Sequence, residues 1–181
     1  MTETLANIQV MVENISSATG QLQAGRILVP CALGRGVTHK KREGDGKTPL
    51  GTWPLREVFY RADKTTCPSS GLKSNAIAPD DGWCDDPTSE DYNLPVKLPY
   101  APSHEKMWRD DHLYDLVIPL GYNDAPPMPG MGSAIFFHLA HGDYRPTEGC
   151  VAISLEHMRL VLPLCAPQTV MTIALSCQAT G

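Results

Sequence analysis

The amino-acid sequence predicts a mainly β fold with one or two short helices, within the α+β class. Sixteen prolines and 15 glycines in 181 residues indicate short elements joined by many turns. Several short apolar runs are rich in β-branched and aromatic side chains, as buried strands are. The chain is long enough to bury a full core, and neither an internal repeat nor a strong linker divides it. We therefore expect a single domain over residues 1–181.

The N-terminal third predicts three strands. Residues 5–15 alternate loosely between apolar and polar side chains, and residues 26–29 form a second apolar run after Gly20, so the two runs are expected to pair as a hairpin. Glycines and a proline in residues 40–54 predict tight turns that lead into a strand over residues 52–60. The glycine spacing of a phosphate-binding Walker loop is absent from this turn.

Residues 61–105 show little periodicity and predict a long loop. The acidic residues that surround Trp83 in this loop are Asp80, Asp81, Asp85, Asp86, Glu90 and Asp91. Long loops in compact domains are often functional, so we expect a solvated or substrate-facing rim here, ahead of catalytic carboxylates or a Ca²⁺ site. Residues 103–111 predict the start of a short helix with Ser103 as its cap.

Short apolar runs predict four strands in the second half of the chain. The strands cover residues 114–118, 133–138, 151–153 and 169–175, and helical spacing of apolar side chains predicts a helix over residues 155–164. His138 ends the second of these strands, where a side chain can leave the core and face a cleft.

The net charge of −5 and the pI near 5.6 argue against nucleic acid and anionic membranes as main partners, because both attract basic surfaces. The one basic cluster, Arg35 with residues 39–42, is expected to be a solvated loop. The N-terminus has no signal-peptide pattern, and no window approaches the roughly 18 apolar residues of a membrane span. We expect a cytoplasmic protein, or a periplasmic one if an export segment has been removed. The sequence leaves the oligomeric state open.

The cysteines form no Cys-x-x-Cys pair and no ligand-like spacing. They are Cys31, Cys67, Cys84, Cys150, Cys165 and Cys177. Most are expected to be reduced and buried, and a Cys67–Cys84 disulfide is expected only in an exported protein. Cys150 alone has neighbours suited to catalysis.

Residues 132–154 gather those neighbours around Cys150. A cysteine attacks as its thiolate, and a nearby imidazole such as that of His138 is the usual means of forming one. Gly149 allows a tight turn and the close approach of a substrate carbonyl, so that backbone amides of the turn can stabilise an oxyanion. The Thr147 hydroxyl is expected to fix this turn. A buried structural cysteine is the alternative, because a Cys and a His 12 positions apart are weak evidence alone.

A zinc site built from His138, His141 and Cys150 is the main chemical competitor. In a continuing strand, positions three apart face opposite sides of the sheet, so the two histidines would diverge. The His-Leu-Ala-His sequence also lacks the Glu of a metalloprotease helix. We therefore expect no metal and no other cofactor.

Two motifs give the chain a resemblance to a known family. IFFHLAHGDYRPTEGCVAIS at residues 135–154 resembles the catalytic motif of the L,D-transpeptidase (YkuD) family, and EGDGKTPLGTWPL at residues 43–55 is similar to its Gly-Asp-Gly-x-Thr-Pro turn. DDGWCDD and DHLYDLVIPLGYND resemble segments of a compact, single-domain branch of that family. The resemblance implies an L,D-transpeptidase-like β-sandwich of mixed sheets, with its motifs in about residues 26–175.

The resemblance also implies roles for individual residues. Cys150 would be the acylated nucleophile and His138 its base, and Gly149 with the Cys150 amide would form the oxyanion site. Thr147 takes the family's Ser/Thr position. The expected substrate contacts are Thr147, Arg145 and Trp83.

Two positions depart from the family pattern. Glu148 stands where many members have His, and Ala152 stands where many have an Arg that helps to hold the substrate. Arg145 or the basic cluster is expected to take over that contact. His141 has no clear family counterpart and is expected at the rim of the site.

For function, the resemblance implies a bacterial enzyme of cell wall biogenesis that carbapenems target. It would transfer an acyl group from a peptidoglycan stem peptide through a Cys150 thioester to an amine, forming an L,D cross-link. Two alternatives stay open, an L,D-carboxypeptidase that trims muropeptides and an inactive peptidoglycan-binding module. The expected partners are stem peptides or muropeptides in every case.

Overall fold

The computed structural model describes residues 4–176. Within this range the chain forms fifteen β-strands, one α-helix and one 3-10 helix. The strands are β1 (Asn7–Val12), β2 (Thr19–Ala24), β3 (Ile27–Ala32), β4 (Val37–Thr38), β5 (Thr48–Pro49), β6 (Gly51–Pro54), β7 (Val58–Tyr60), β8 (Ser74–Ala76), β9 (Asp81–Cys84), β10 (Pro95–Lys97), β11 (His104–Lys106), β12 (Leu116–Pro119), β13 (Phe136–Leu139), β14 (Val151–Ile153) and β15 (Val170–Leu175). The helix α1 covers Leu155–Val161, and the 3-10 helix Leu162–Leu164 follows it directly.

Ten strands form one mixed sheet, in the order β6-β15-β1-β2-β3-β14-β13-β12-β7-β8. The pairs β1–β15, β13–β14 and β7–β8 are parallel, and the other neighbours are antiparallel. A three-stranded sheet, β10-β9-β11, and a two-stranded sheet, β4-β5, accompany it. The predicted mainly β, α+β architecture of mixed sheets, resembling a sandwich, is confirmed.

The predicted strands of the second half are present, with small shifts at their ends. β12, β13, β14 and β15 all overlap the ranges expected from the apolar runs. α1 begins within its predicted range because Ser154 caps it, accepting a hydrogen bond from the His157 N–H at 3.2 Å. No helix in the described part of the chain has the length and apolar character needed to cross a membrane.

Strands β13 and β14 separate the core from a second apolar region. Successive side chains of a strand point to opposite faces of the sheet. The side chains on one face belong to the largest apolar cluster, and they are Phe137, Leu139, Val151 and Ile153. On the other face, Phe136 and Cys150 belong to a smaller cluster, against which Trp83 of β9 packs. This smaller cluster holds the thiol that the sequence singles out.

The predicted N-terminal hairpin is wrong in its pairing. Strand β2 pairs with β1, and β3 pairs with β2, so residues 26–29 do not contact residues 5–15 as a hairpin. Gly20 lies inside β2, where a Cβ would come within 2.7 Å of the Met11 carbonyl oxygen. The turn between β2 and β3 instead uses Gly25, whose φ of +61° favours glycine.

The short helix predicted at residues 103–111 is also wrong. His104–Lys106 form β11, which pairs with β9. Strands β8, β9 and β10 likewise lie inside the segment 61–105 that the sequence predicts to be a loop. Strands of three or four residues are too short for an alternating pattern to stand out, so the sequence does not reveal them.

All five cysteines in the described residues are free thiols. Cys67 is exposed and Cys84 is buried, so no disulfide joins this pair. Three others, Cys31, Cys150 and Cys165, are buried, in line with the prediction that most cysteines are reduced and internal. Cys177 lies outside the described residues.

Candidate active site

The register of β13 and β14 places His138 and Cys150 on the same face of the sheet. His138 pairs with Ala152 in the parallel ladder, so Cys150 lies at the diagonal position. Diagonal neighbours on one face are about 7–8 Å apart, within reach of a long side chain. Ala152, the ladder partner of His138, is fully buried.

The Cys150 thiol is held in a buried, protonated state. The residue is 7 % exposed, and its burial, together with the charge of nearby Glu105, raises the pKa of the thiol to about 12. The Phe136 N–H donates a hydrogen bond to Sγ at 3.3 Å, and the thiol donates to the Ala134 carbonyl oxygen, also at 3.3 Å. The Phe136 amide is therefore a ready donor to a thiolate when one forms.

The His138 imidazole is neutral and oriented as a base. Its Nδ1 lies 2.8 Å from the Leu139 carbonyl oxygen, and a carbonyl only accepts, so Nδ1 carries the proton. Nε2 then has the free lone pair that a general base needs. Burial lowers the pKa of His138 to about 4, and the Tyr114 ring packs edge-on against it at 5.3 Å. In residues 4–176 no hydrogen bond joins this ring to Cys150, so the resting pair is a neutral thiol beside a neutral imidazole.

A cavity of about 230 Å³ opens onto both side chains. The titratable side chains of its lining include Glu105, Arg109, Tyr114, His138, His141, Arg145 and Cys150. Thr147, Glu148 and Ala152 also line it. The predicted motif residues therefore meet at this cavity, except for Gly149, which is not part of its lining.

The turn before Cys150 is fixed by Thr147. The Thr147 hydroxyl donates to the Cys150 carbonyl oxygen at 2.8 Å and accepts from the Gly149 N–H at 3.1 Å. The Gly149 amide is therefore already engaged, contrary to its expected part in the oxyanion site. None of the turn and loop hydrogen bonds described for residues 4–176 uses the Cys150 N–H, which leaves that amide for an oxyanion.

Gly149 cannot be replaced without strain, and this gives a first testable expectation. Its φ is +124°, and a Cβ would lie 2.8 Å from the Lys47 carbonyl oxygen. We expect Gly149→Ala to lower the free energy of unfolding by about 1–3 kcal/mol and to slow acylation of Cys150 by displacing its amide. Gly142→Ala is the matched control, since nothing lies within 4 Å of a Cβ there. Chemical denaturation and acylation rates of both variants check this, and equal behaviour of the two would contradict it.

Trp83 and the acidic residues around it lie away from this cavity. Trp83 lines a second cavity of about 350 Å³ and packs edge-on against Phe136 at 5.2 Å. Asp80 and Asp81 both pair with Lys97, and none of the acids from Asp80 to Asp91 lines the Cys150 cavity. The structure therefore does not join the acidic segment or Trp83 to the catalytic pair, although Trp83 borders the same apolar cluster.

Arg145 does line the Cys150 cavity, as a substrate contact must. Its side chain is exposed, and its Nη2 lies 3.0 Å from His141 Nε2, which accepts a hydrogen bond from the guanidinium. His141 is thus at the rim, where the sequence placed it, and it orients a cation rather than a thiol. No salt bridge to Arg145 occurs within the described chain, so its charge is available to a ligand carboxylate.

The departure at Glu148 is explained by Arg35. The two side chains form a bidentate pair, with N–O distances of 2.6 and 2.7 Å. Both are largely exposed, at 57 % and 75 %, so the pair orients the rim more than it stabilises the fold.

The basic cluster is only partly the solvated loop that the sequence predicts. Lys41 is buried, with 3 % of its side chain exposed, because its ammonium pairs with Asp45 and donates to the Arg42 carbonyl oxygen. It packs against the turn residues Gly132 and Gly149, where a Cβ would contact its side chain. A single buried lysine in a polar, glycine-rich segment gives no periodic signal in the sequence.

Sequence reasoning missed three residues near the catalytic pair: Glu105, Arg109 and Tyr114. Arg109 and Asp111 form a bidentate pair at 2.9 and 2.7 Å. Glu105 and Arg109 lie in the segments expected to be a loop and a helix, and Tyr114 begins a predicted strand, so no pattern pointed to a role in the site. In the described part of the chain, no group of three or more His, Cys, Asp or Glu side chains is placed to hold a metal ion.

Comparison with known families agrees with this geometry. The family model of the L,D-transpeptidase catalytic domain (YkuD) matches residues 14–173, which include every element around the cavity. The chain belongs to this family. The resemblance inferred from the sequence motifs is confirmed, and the family acts on peptidoglycan. Comparisons with curated proteins and with solved structures gave no match.

Proposed function

We propose that this L,D-transpeptidase domain is a cysteine acyltransferase that cross-links peptidoglycan stem peptides. The observation that carries the proposal is the meeting of Cys150 with a neutral His138, whose Nε2 is free, in one cavity. The unused Cys150 amide supports it as an oxyanion donor. The family membership supports peptidoglycan as the substrate.

In the first half-reaction, the Cys150 thiol turns from the Ala134 carbonyl toward His138 and gives its proton to Nε2. Sγ then forms a bond to the carbonyl carbon at the L-centre of a diamino acid in the donor stem. The Cys150 N–H stabilises the oxyanion. When the amide C–N bond breaks, His138 returns the proton to the leaving nitrogen, and a D-amino acid departs.

In the second half-reaction, an amine of another stem peptide attacks the thioester. His138 Nε2 takes a proton from the attacking nitrogen, the C–S bond breaks, and the sulfur recovers that proton. The product is an L,D cross-link. Arg145 supports both steps by holding a substrate carboxylate, and Thr147 holds the turn that carries the thiol.

Product analysis tests the proposal. Purified muropeptides incubated with the enzyme are expected to give dimers of stem peptides together with a released D-amino acid, as measured by mass spectrometry. Release of the D-amino acid without any dimer would assign an L,D-carboxypeptidase instead. Binding of muropeptides with no release and no dimer would assign an inactive binding module.

A further inference from the structure

Glu105 is an acidic side chain in the Cys150 cavity that the proposed mechanism does not use. It belongs to β11, and 28 % of its side chain is exposed. The Tyr114 hydroxyl donates to Oε1 at 2.6 Å, and the Arg109 guanidinium lies 3.9 Å from the same oxygen. Within residues 4–176 no protein donor contacts Oε2, so one carboxylate oxygen stays open to a ligand.

Tyr114 connects Glu105 to the catalytic pair. The Tyr114 ring packs edge-on against His138 at 5.3 Å and against Phe136 at 5.7 Å. The Phe136 N–H in turn donates to Cys150 Sγ. A ligand group bound to Glu105 would therefore lie in the same cavity as the His138 and Cys150 side chains.

The negative charge of Glu105 has no close positive partner among the residues that line the cavity. The other carboxylate of the lining, Glu148, is bound bidentately by Arg35. The Arg109 guanidinium is held by Asp111 at 2.7 Å, and its distance of 3.9 Å to Glu105 is at the far limit of an ion pair. Burial raises the pKa of Glu105 itself, so its ionised form lacks a close compensating charge in the part of the chain that the structure describes. When ionised, Glu105 is, after burial, the largest cause that raises the pKa of the Cys150 thiol.

We infer that Glu105 is a specificity-determining residue that binds a primary ammonium group of the substrate next to Cys150. An ammonium offers three donors and a full positive charge, so it suits an open carboxylate oxygen in a half-buried site. The inference rests on the proposed function, in which both donor and acceptor stems supply such amines. The bound cation offsets the negative charge that disfavours a thiolate, so it favours the nucleophile when substrate is present.

The test compares two synthetic stem peptides, one with a free side-chain amine on its diamino acid and one with that amine acetylated. With the wild-type enzyme and no acceptor, acetylation of the donor is expected to lower kcat/KM for D-amino acid release about tenfold or more. Glu105→Gln is expected to remove this difference. Glu148→Gln, the same chemical change on the same cavity, is expected to keep it.

A second arm separates donor from acceptor. At saturating donor, we measure how the thioester divides between hydrolysis by water and transfer to an added amine. The measurement is made for wild type, Glu105→Gln and Glu148→Gln. The inference is supported if Glu105→Gln, but not Glu148→Gln, loses the preference for a free donor amine or the preference for transfer to the added amine over water. The arm in which the loss occurs shows which stem Glu105 holds. If wild type, Glu105→Gln and Glu148→Gln show the same preferences in both arms, the inference is overturned and the proposed function stays intact. Absence of any D-amino acid release or dimer from the wild type overturns both.

Alkylation of the Cys150 thiol without substrate gives a further measurement. Its rate would not change if Glu105 had only a structural role. Glu105 and Glu148 both raise the pKa of Cys150, and Glu105 has the larger effect. We therefore expect faster reaction with iodoacetamide at pH 8 in Glu105→Gln than in Glu148→Gln. Circular dichroism shows whether each variant is folded. If Glu105→Gln does not fold, Glu105→Asp takes its place. It keeps the charge but shortens the reach, so a preference for the free amine equal to that of wild type overturns the inference.

Discussion

Cys150→Ala is expected to abolish acyl transfer while leaving the fold intact. The substitution removes the sulfur atom that forms the proposed thioester, and residual catalysis without a covalent nucleophile is lower by a factor on the order of 10⁴ or more. The side chain is small and buried, so alanine fits the same space. Rates of D-amino acid release and of dimer formation measure the effect.

The control for this variant is Cys165→Ala. Cys165 is also a buried thiol whose pKa burial raises to about 12, but it does not line the Cys150 cavity. Wild-type rates in Cys165→Ala, with none in Cys150→Ala, are the expected pair of results. Substantial activity in Cys150→Ala would mean that another group performs the chemistry.

His138→Gln is expected to have the second-largest effect, lowering the rate by about 10²–10⁴-fold. Glutamine fills similar space and can still donate to the Leu139 carbonyl oxygen, but it cannot carry the proton between the thiol and the leaving amine. Single-turnover acylation isolates this step from later hydrolysis or aminolysis. A rate within the wild-type range would exclude His138 as the base.

The same substitution should change how stability depends on pH. The pKa of His138 in the folded protein is about 4, below its ordinary value of 6.5, so the unfolded chain takes up this proton first as the pH falls. His138 therefore costs the wild type on the order of 3 kcal/mol of stability as the pH drops from 6.5 to 4. His138→Gln should lack this loss, whereas His39→Gln, at an exposed histidine, should keep it. Denaturation curves at several pH values measure the difference.

Much of the sheet and the catalytic pair could be predicted because the determining signals are local. The apolar runs that become β13 and β14 are strand-forming by composition, and their spacing brings His138 and Cys150 to the same face. The turn between the two strands predicts that Thr147, Glu148 and Gly149 lie next to Cys150. These features depend on residues close together in sequence, which is where periodicity and turn chemistry are informative.

The environment of the pair could not be predicted, because it comes from distant segments with weak patterns. Strand β11 has three residues. Its mixed polar sequence predicts a helix, so the sequence does not place Glu105 near the thiol. Lys41 looked like part of a solvated loop, yet its ammonium is buried against Asp45. The acidic residues around Trp83 indicate a substrate-facing rim, but the Trp83 indole donates to Asn93 and lines a different cavity. Long-range packing decides all three positions.

Acylation of Cys150 by a stem-peptide donor is the step on which the proposed function depends. Intact-protein mass spectrometry during turnover, followed by peptide mapping, tests it most directly. We expect a mass increase equal to the donor less its terminal D-amino acid, located on the peptide that contains Cys150 and absent from Cys150→Ala. A wild-type protein with unchanged mass while product accumulates, or an adduct that persists in Cys150→Ala, would contradict it.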